Sequence, residues 1–402
     1  MNMTPRQTKL LIALWCLGVL LGSSTSIATW TLSSDGWIQG TSNFFYLLAL
    51  PGWFPLYILG FSGMRSDPIA IIVANAIAWT GWCMLIAIVA QIASRSQAES
   101  DDAQQPLPDP SRRSFLAKGL LGAGTIGAVV SPGYATLIEP WSLKVRRYTL
   151  PIRDLPASLE GLRVVQFSDP HLGPRVPSSF YSYAVQVVAD LRPDLLLLTG
   201  DYVHDGTDDI EEAARLCKPM IEATRIGAVG VLGNHDWWGD GPRISQALRD
   251  QGVSMIDNDR VWLDPRTQQL ASSRTPGAMA IVGLGDLTED TLDFSKAFRA
   301  VDDEYPCIVL AHQPDTAEIS VFTTPHAPRV DAMFSGHTHG GQVRIPLIGT
   351  PLVPSNYGSK YAGGVVQGPA FPVVVSRGVG MSLLPVRFGV PPEIVEVTLT
   401  RA

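Results

Sequence analysis

The sequence predicts a layered α/β domain over residues 145–402, preceded by an all-α transmembrane segment over residues 1–93. The charge distribution supports this division, because residues 1–93 carry only a few charged side chains, namely Arg6, Lys9, Asp35, Arg65 and Asp67. From Gly161 onward, short aliphatic runs alternate with amphipathic stretches, as expected for sheets that pack against helices. We therefore expect a membrane anchor joined to one soluble domain.

The predicted membrane segment contains three apolar runs, at about 10–30, 43–62 and 69–93. Each run is near the roughly 20 residues that a helix needs to cross a bilayer. Pro51 and Pro55 interrupt the second run, so a kinked or re-entrant helix is an alternative to a full span there. A buried helical hairpin would also be apolar, but the lack of charges inside the runs favours the membrane.

Residues 94–114 are polar and contain proline, which is typical of a linker. The linker ends in Ser111-Arg112-Arg113-Ser114-Phe115-Leu116, and an uncharged stretch follows at 119–138. Residues 111–138 resemble a twin-arginine export signal, which predicts a bacterial inner-membrane protein with an extracytoplasmic soluble domain. A fourth ordinary span is the alternative, and it leaves the domain on the cytoplasmic face.

The topology signals conflict with one another. Arg6 and Lys9 predict a cytoplasmic N-terminus, and three full spans would then place Arg112 and Arg113 outside. A twin-arginine signal has to begin inside. The sequence alone leaves the number of spans and the side of the domain open.

Overall composition excludes several classes of function. The net charge is −7, with no basic stripe, so nucleic acid is not an expected partner. The four cysteines, Cys16, Cys83, Cys217 and Cys307, form no CxxC pair, which argues against a zinc knuckle or a redox motif. For Cys217 and Cys307 we expect buried thiols rather than a disulfide.

The soluble part contains short runs that predict β-strands and two stretches that predict helices. The predicted helices are 179–191 and 209–224, where apolar residues recur at helical spacing. The predicted strands are Arg163–Phe167, Asp194–Leu198, Ala228–Leu232, Met279–Leu284, Cys307–Leu310 and Val330–Phe334.

Polar side chains follow the ends of these strands. Because the carboxyl ends of neighbouring strands border one crevice, we expect these side chains to converge. Five of the seven histidines belong to the set, which is far more than chance placement predicts. Imidazole, carboxylate and amide ligands suit Mn, Fe or Zn, and the set is large enough for two metal ions. The residues are Asp169, His171, Asp201, Asn234, His235, Asp236, His312, His337 and His339.

The ordered motifs at these positions resemble the calcineurin-like metallophosphoesterase superfamily over about residues 161–345. The motifs are Asp169-x-His171, Gly200-Asp201, Gly233-Asn234-His235-Asp236, His312 and Gly336-His337-Thr338-His339. The resemblance implies a calcineurin-like layered β-sandwich flanked by helices. The continuation at 340–342, 361–364, 376–380 and 385–387 is similar to the bacterial YkuE-like branch, which implies membrane attachment or a twin-arginine signal.

The resemblance also implies a role for each motif residue. The first metal ion would be held by Asp169, His171 and His339. The second would be held by Asn234, His312 and His337, and Asp201 would bridge the two ions. His235 would contact the phosphoryl oxygens or protonate the leaving group, and Asp236 would orient His235 through a hydrogen bond to its other ring nitrogen.

The predicted function is hydrolysis of a phosphodiester or pyrophosphate by metal-activated hydroxide at a membrane. A lipid-linked substrate such as UDP-diacylglucosamine is one candidate by analogy with the family. The alternative is a membrane sensor or cell-wall protein whose phosphoesterase-like domain binds a ligand without turnover. A missing ligand or a missing His235 would favour that alternative, and every motif position is filled.

Several residues carry weaker predictions. Arg344 and Arg377 are candidates for binding the outer substrate phosphate or headgroup, as is Arg387, although each is more often a surface or structural arginine. His204 could face the substrate, but an exposed loop position is the favoured interpretation. Trp237 and Trp238 could form an apolar wall beside a substrate or simply pack the loop.

Overall fold

Two stacked β-sheets form the centre of the domain in a computed structural model, which describes residues 133–346, 348–382 and 384–402. Residues Leu137–Ala402 form one compact unit. Within the described residues the strands are β1 (Lys144–Ile152), β2 (Arg163–Phe167), β3 (Leu195–Leu198), β4 (Gly227–Gly230), β5 (Val253–Met255), β6 (Asp259–Asp264), β7 (Gln269–Ala271), β8 (Met279–Gly283), β9 (Cys307–Leu310), β10 (Ala332–Ser335), β11 (Gly364–Gln367), β12 (Pro372–Val375) and β13 (Glu393–Arg401).

The first sheet has the strand order β1-β13-β2-β3-β4-β5, and the second has the order β11-β12-β10-β9-β8-β6-β7. Strands β2, β3, β4 and β5 run parallel, as do β8, β9, β10 and β12. Both sheets therefore present the carboxyl ends of several central parallel strands, which is the arrangement that places ligand sites at one edge.

Helices cover the outer faces of the sheets. They are α1 (Ser178–Leu191), α2 (Ile210–Glu222), α3 (Asn234–Gly239), α4 (Gly241–Asp250) and α5 (Phe294–Ala297), with 3-10 turns at Glu139–Trp141, Ala157–Leu159, Pro314–Glu318, Ser320–Thr323, His339–Gly341 and Gly358–Tyr361. Buried side chains of α1, α2 and α4 form one core with the first sheet. Residues of α5 and of the turns at 314–323 form another core with the second sheet.

Strand β3 shows how the layers are built. Successive side chains of a strand point to opposite faces of the sheet. Leu195 and Leu197 belong to the core between the two sheets, together with Ile308 of β9. Leu196 and Leu198 belong to the core under the helices. An unbroken run of leucine therefore indicates a strand that is covered on both faces.

The predicted α/β class and the main elements are confirmed. Strands β2 and β9 begin and end where the sequence predicted, and α1 and α2 differ from their predicted bounds by no more than two residues. Strand β1 was not predicted, because polar and apolar side chains do not alternate regularly along its nine residues, which include Lys144, Arg146 and Arg147. It pairs with β13 at the other end of the chain, so local sequence could not reveal it.

The predicted transmembrane runs at 1–93 and the linker at 94–114 lie outside the described residues, as does most of the predicted signal at 111–138. Among the residues that the structure does describe, no helix has both the length and the apolar character needed to span a bilayer.

Candidate metal centre

The nine predicted site residues lie at the carboxyl ends of strands from both sheets. Asp169 and His171 follow β2, Asp201 follows β3, and Asn234 begins α3 shortly after β4. His235 and Asp236 follow Asn234 in α3. The other three residues follow strands of the second sheet: His312 follows β9, and His337 and His339 follow β10. Each of the two sheets thus contributes side chains to the same site.

The first group of candidate ligands contains Asp169, His171, Asp201 and His339. All four are buried, and one ligand atom of each lies within 4.8 Å of the others. Nε2 of His171 lies 2.9 Å from Nε2 of His339 and 3.3 Å from Oδ2 of Asp201. Nε2 of His339 lies 3.5 Å from Oδ1 of Asp169. Imidazole nitrogens and carboxylate oxygens therefore face one common point.

The second group contains Asp201, His312 and His337. Nε2 of His312 lies 3.2 Å from Oδ2 of Asp201, and Nδ1 of His337 lies 3.0 Å from Oδ1 of Asn234. Asp201 belongs to both groups through the same oxygen, Oδ2. Two cation sites that share one carboxylate are thereby available.

The surroundings of the His312 ring indicate whether a metal ion fits this site. Its Nδ1 lies 2.7 Å from the main-chain oxygen of Thr199 and donates a hydrogen to it, so Nε2 is the ring nitrogen that faces the other candidate ligands. That Nε2 is buried and has no hydrogen-bond partner among the described residues. Burying an unpaired polar atom is costly, and a divalent ion would satisfy it. The nitrogen and oxygen donor set therefore fits a transition metal.

Five of the candidate ligands have a left-handed backbone. Such a conformation is uncommon for residues other than glycine and costs of order 1–3 kcal/mol per residue. A strained backbone at several candidate ligands indicates that the surrounding fold fixes their positions. The residues are Asp169 (φ 52°), His171 (φ 48°), Asp201 (φ 58°), His337 (φ 68°) and His339 (φ 49°).

Two glycines allow the close approach of the strand ends. A Cβ atom on Gly336 would lie less than 3.0 Å from Oδ2 of Asp169 and from Oγ of Ser168. A Cβ atom on Gly233 would lie less than 3.0 Å from Oδ1 of Asp201. The glycines before His337 and Asn234 are thus required by the carboxylates that they face.

We expect Gly336→Ala to release metal from the purified protein, because the new methyl group displaces the Asp169 carboxylate. Metal content per chain measures this loss. The matched control is Gly161→Ala, which introduces a side chain at φ 80° in open space. The control should lower the free energy of unfolding by about 1–2 kcal/mol, because a left-handed backbone is unfavourable for alanine, and it should keep its metal. Equal metal content in both variants would contradict the assigned packing.

Charge at the site is governed by burial and by the mutual proximity of the ionisable groups. Burial alone would raise the pKa of Asp201, but His312 and His171 outweigh it and hold the pKa well below its usual range. Burial raises the pKa of Asp169 to about 7. Burial also lowers the pKa of His337 to about 3 and that of His339 well below 6.5. His337 and His339 are therefore neutral, as metal ligands must be. Burial alone would lower the pKa of His312, but Asp201 outweighs it and holds the pKa well above its usual range.

Metal binding should depend on pH through Asp169 and His312, because both have raised pKa values and both have to lose a proton when an ion binds. Below pH 7 the metal-free protein holds a proton on this carboxyl, and a bound ion has to displace it. The apparent affinity should therefore fall as pH decreases below about 7, by up to about tenfold per pH unit for each proton displaced. Calorimetric titration with Mn²⁺ in buffers of different ionisation enthalpy measures the proton release. Binding at pH 6 without proton release would contradict the raised pKa values of both Asp169 and His312.

His235 lies at the start of α3 beside both groups. Its main-chain N–H donates to Oδ1 of Asp201 at 2.9 Å, and its Nδ1 contacts the main-chain oxygen of His204. Nε2 of His235 lies 3.2 Å from Oγ of Ser382. The exposed ring of Trp238 packs against the His235 ring, with centroids 4.2 Å apart. One ring nitrogen is therefore fixed by the backbone, and the other faces a polar side chain.

Asp236 does not orient His235 as the sequence predicted. Its carboxylate accepts hydrogen bonds from the main-chain N–H groups of Asp201, Tyr202 and Gly233 at 2.8, 2.8 and 2.9 Å. The predicted hydrogen bond to the His235 ring is wrong, because the main-chain oxygen of His204 takes that place. Asp236 instead ties the turn after β3 to the turn after β4.

The favoured interpretation of His204 as an exposed loop residue is also wrong. His204 is buried, its ring lies 5.6 Å from that of His171 and 5.2 Å from that of His235, and its Nε2 contacts Nη1 of Arg175. Burial lowers the pKa of His204 to about 3. The sequence analysis did not identify Arg175 or Ser382 as residues near the site. The only available signal was their position in the sequence, a few residues after the motifs at 169–171 and 376–380.

The three arginines differ in their surroundings. Arg387 is fully buried and donates to the main-chain oxygens of Gly380 and Val390, both at 3.1 Å, so it is a structural residue. Arg377 forms an ion pair with Glu393 at 3.0 Å, and Arg344 is exposed. Substrate binding by Arg344 and Arg377 stays a prediction.

Known proteins are similar to this chain over the segment that carries the site. The model of the calcineurin-like phosphoesterase family matches residues 162–341. The uncharacterized metallophosphoesterase YkuE of Bacillus subtilis is 31% identical over 294 residues, which cover 72% of this chain and 97% of YkuE. This chain belongs to the calcineurin-like phosphoesterase family. The predicted resemblance to the YkuE-like branch is thus confirmed.

Two further relatives have named activities. Phosphodiesterase YaeI of Escherichia coli is 30% identical over 294 residues, covering 72% of this chain and 99% of YaeI. UDP-2,3-diacylglucosamine pyrophosphatase LpxG of Chlamydia trachomatis is 28% identical over 312 residues, covering 65% of this chain and 90% of LpxG. This calcineurin-like phosphoesterase is therefore a metal-dependent hydrolase whose cofactors are two divalent metal ions.

Proposed function

We propose that the chain is a membrane-attached phosphodiesterase or pyrophosphatase in which Asp201 would be a ligand in both metal sites. In this proposal Asp169, His171 and His339 complete the first metal site. The second metal site is completed by Asn234, His312 and His337. The observation that carries the proposal is the position of Asp201 Oδ2, which lies 3.3 Å from Nε2 of His171 and 3.2 Å from Nε2 of His312.

Two divalent ions at these groups would supply Lewis-acid stabilisation of the phosphoryl charge and would acidify a nucleophilic water. The chain's own residues position the substrate and move the leaving-group proton. The main-chain oxygen of His204 holds a hydrogen on Nδ1 of His235, so the exchangeable proton resides on Nε2. That nitrogen is the proposed general acid, and Ser382 Oγ, 3.2 Å away, orients it.

A lipid-linked phosphate ester or pyrophosphate is the proposed substrate. Support comes from the pyrophosphatase activity for which the LpxG relative is named and from the three apolar runs in residues 1–93. A membrane anchor would keep the metal centre near substrates whose lipid chains stay in the bilayer. A UDP-diacylglucosamine-type pyrophosphate is the first compound to examine.

The proposed reaction is tested with the purified full chain, loaded with Mn²⁺. The substrates are bis-p-nitrophenyl phosphate, p-nitrophenyl phosphate and UDP-diacylglucosamine in mixed micelles. We expect cleavage of the diester in preference to the monoester, and faster cleavage of the pyrophosphate. Preferential cleavage of the monoester would overturn the proposed substrate class, and no turnover of any of the three would favour the ligand-binding alternative.

We place the catalytic domain on the extracytoplasmic side, in accordance with the twin-arginine motif at Arg112 and Arg113. Alkaline phosphatase, which is active only outside the cytoplasm, should therefore be active when fused after Ala402. Activity of a cytoplasmic reporter at the same point, with an inactive phosphatase fusion, would overturn this placement.

A further inference from the structure

An exposed aliphatic loop borders the metal centre. Residues 345–354 contain no charged side chain, and they follow Arg344, which is exposed. Ile348 is 74% exposed and Leu352 is 44% exposed. Large aliphatic side chains are usually buried, and a contiguous exposed group of them marks an interaction surface.

The loop is attached to the segment that carries a candidate metal ligand. Gly341 lies two residues after His339, and a Cβ atom on Gly341 would lie less than 3.0 Å from the main-chain oxygen of Leu352 and from Thr350. No side chain fits between the two segments. Whatever contacts the loop is therefore held beside the metal centre.

A second pair of exposed aliphatic residues adjoins the base of this loop. Leu137 is 59% exposed and Ile138 is 56% exposed. The next residue, Glu139, is buried and accepts a hydrogen bond from the main-chain N–H of Gly389 at 2.9 Å. Gly389 in turn lies against Arg344, because its Cβ position is 2.7 Å from the Arg344 oxygen.

We use the term apolar rim for the surface formed by the exposed side chains of Leu137, Ile138, Ile345, Ile348 and Leu352. We propose that the apolar rim inserts into the headgroup region of a lipid bilayer and holds the mouth of the metal centre against the membrane. The inference rests on the membrane attachment proposed above. It deepens that proposal by naming the residues that orient the domain.

The sequence favours a bilayer, rather than a second copy of the chain, as the partner that contacts the apolar rim. Leu137 and Ile138 end the uncharged stretch 119–138, which is predicted to enter the membrane. Arg344, at the edge of the rim, suits the phosphates of anionic lipids. Apolar side chains flanked by a cation are typical of segments that lie about 5–10 Å deep in the interface.

The test uses the full chain in liposomes, with Cys16 and Cys83 replaced by serine. Cys217 and Cys307 are buried, so they can remain. A bimane label is placed at Ile348→Cys or at the control Arg266→Cys, which lies in the exposed turn between β6 and β7, at the opposite edge of the second sheet from β11. The lipids carry bromine on their acyl chains, which quenches fluorophores in the bilayer.

We expect a loss of fluorescence at position 348 and none at position 266. Equal fluorescence at both positions would overturn the proposal. Emission at 348 that depends on protein density in unbrominated lipid would also overturn it, because a second copy would then cover the rim. Flotation of the liposomes and turnover of bis-p-nitrophenyl phosphate, measured on the same samples, report membrane attachment and catalysis independently.

Discussion

Asp201→Asn should abolish most of the hydrolysis and lower the metal content of the purified protein. Oδ2 of Asp201 is close to Nε2 of both His171 and His312, and the pKa of this carboxyl is held well below its usual range. An amide supplies no negative charge to the two ions that the carboxylate would bridge. Because loss of a single charge-stabilising group commonly costs about 10²–10³-fold in rate, we expect a loss of turnover at least that large.

The control for this variant is Asp190→Asn. Asp190 is an exposed carboxylate on α1 that accepts a hydrogen bond from Gln186 one helical turn away. Exposed substitutions of this kind usually change stability by no more than about 0.5 kcal/mol. The control should therefore retain its metal and its turnover. Full activity of Asp201→Asn would exclude a bridging role for Asp201.

His235→Ala should lower turnover by about 10²–10⁴-fold while the metal content stays unchanged. Nδ1 of His235 contacts the main-chain oxygen of His204, so the backbone, and not an ion, occupies that nitrogen. The size of the effect should depend on the leaving group. A p-nitrophenolate leaves without protonation, whereas an alkoxide needs an acid, so the loss should be larger for an alkyl diester.

His326→Ala is the control for His235, because His326 is exposed in the loop after the 3-10 turn Ser320–Thr323. We expect unchanged kinetics for this variant with both leaving groups. An equal loss of rate for the aryl and alkyl diesters in His235→Ala would argue against general-acid catalysis. Loss of metal from His235→Ala would identify His235 as a ligand.

The central strands and the candidate ligands were predictable because their signals are local. Asp169, Asp201 and His337 each follow a buried strand, and the last two follow glycines whose small size the packing requires. Periodicity placed α1 and α2 within two residues of their observed bounds. Local sequence thus determines both the elements and the strand ends from which the candidate ligands project.

The errors arose where contacts join distant parts of the chain. Asp236 binds main-chain N–H groups in the turn after β3, and the parallel pairing of β3 with β4 brings that turn close. His204 is buried because Arg175 and the rings of His171 and His235 surround it. Contacts of this kind produce no periodic or compositional pattern in the sequence. Motif spacing therefore could not predict the hydrogen-bond partners of Asp236 or the burial of His204.

The central claim is that two ions share Asp201 in a hydrolytic centre. It is tested most directly by adding Mn²⁺ stepwise to the metal-free full chain while bound metal and cleavage of bis-p-nitrophenyl phosphate are measured together. We expect activity to rise until two ions are bound per chain and then to stay constant. Full activity at one bound ion, or no bound metal at all, would contradict the account.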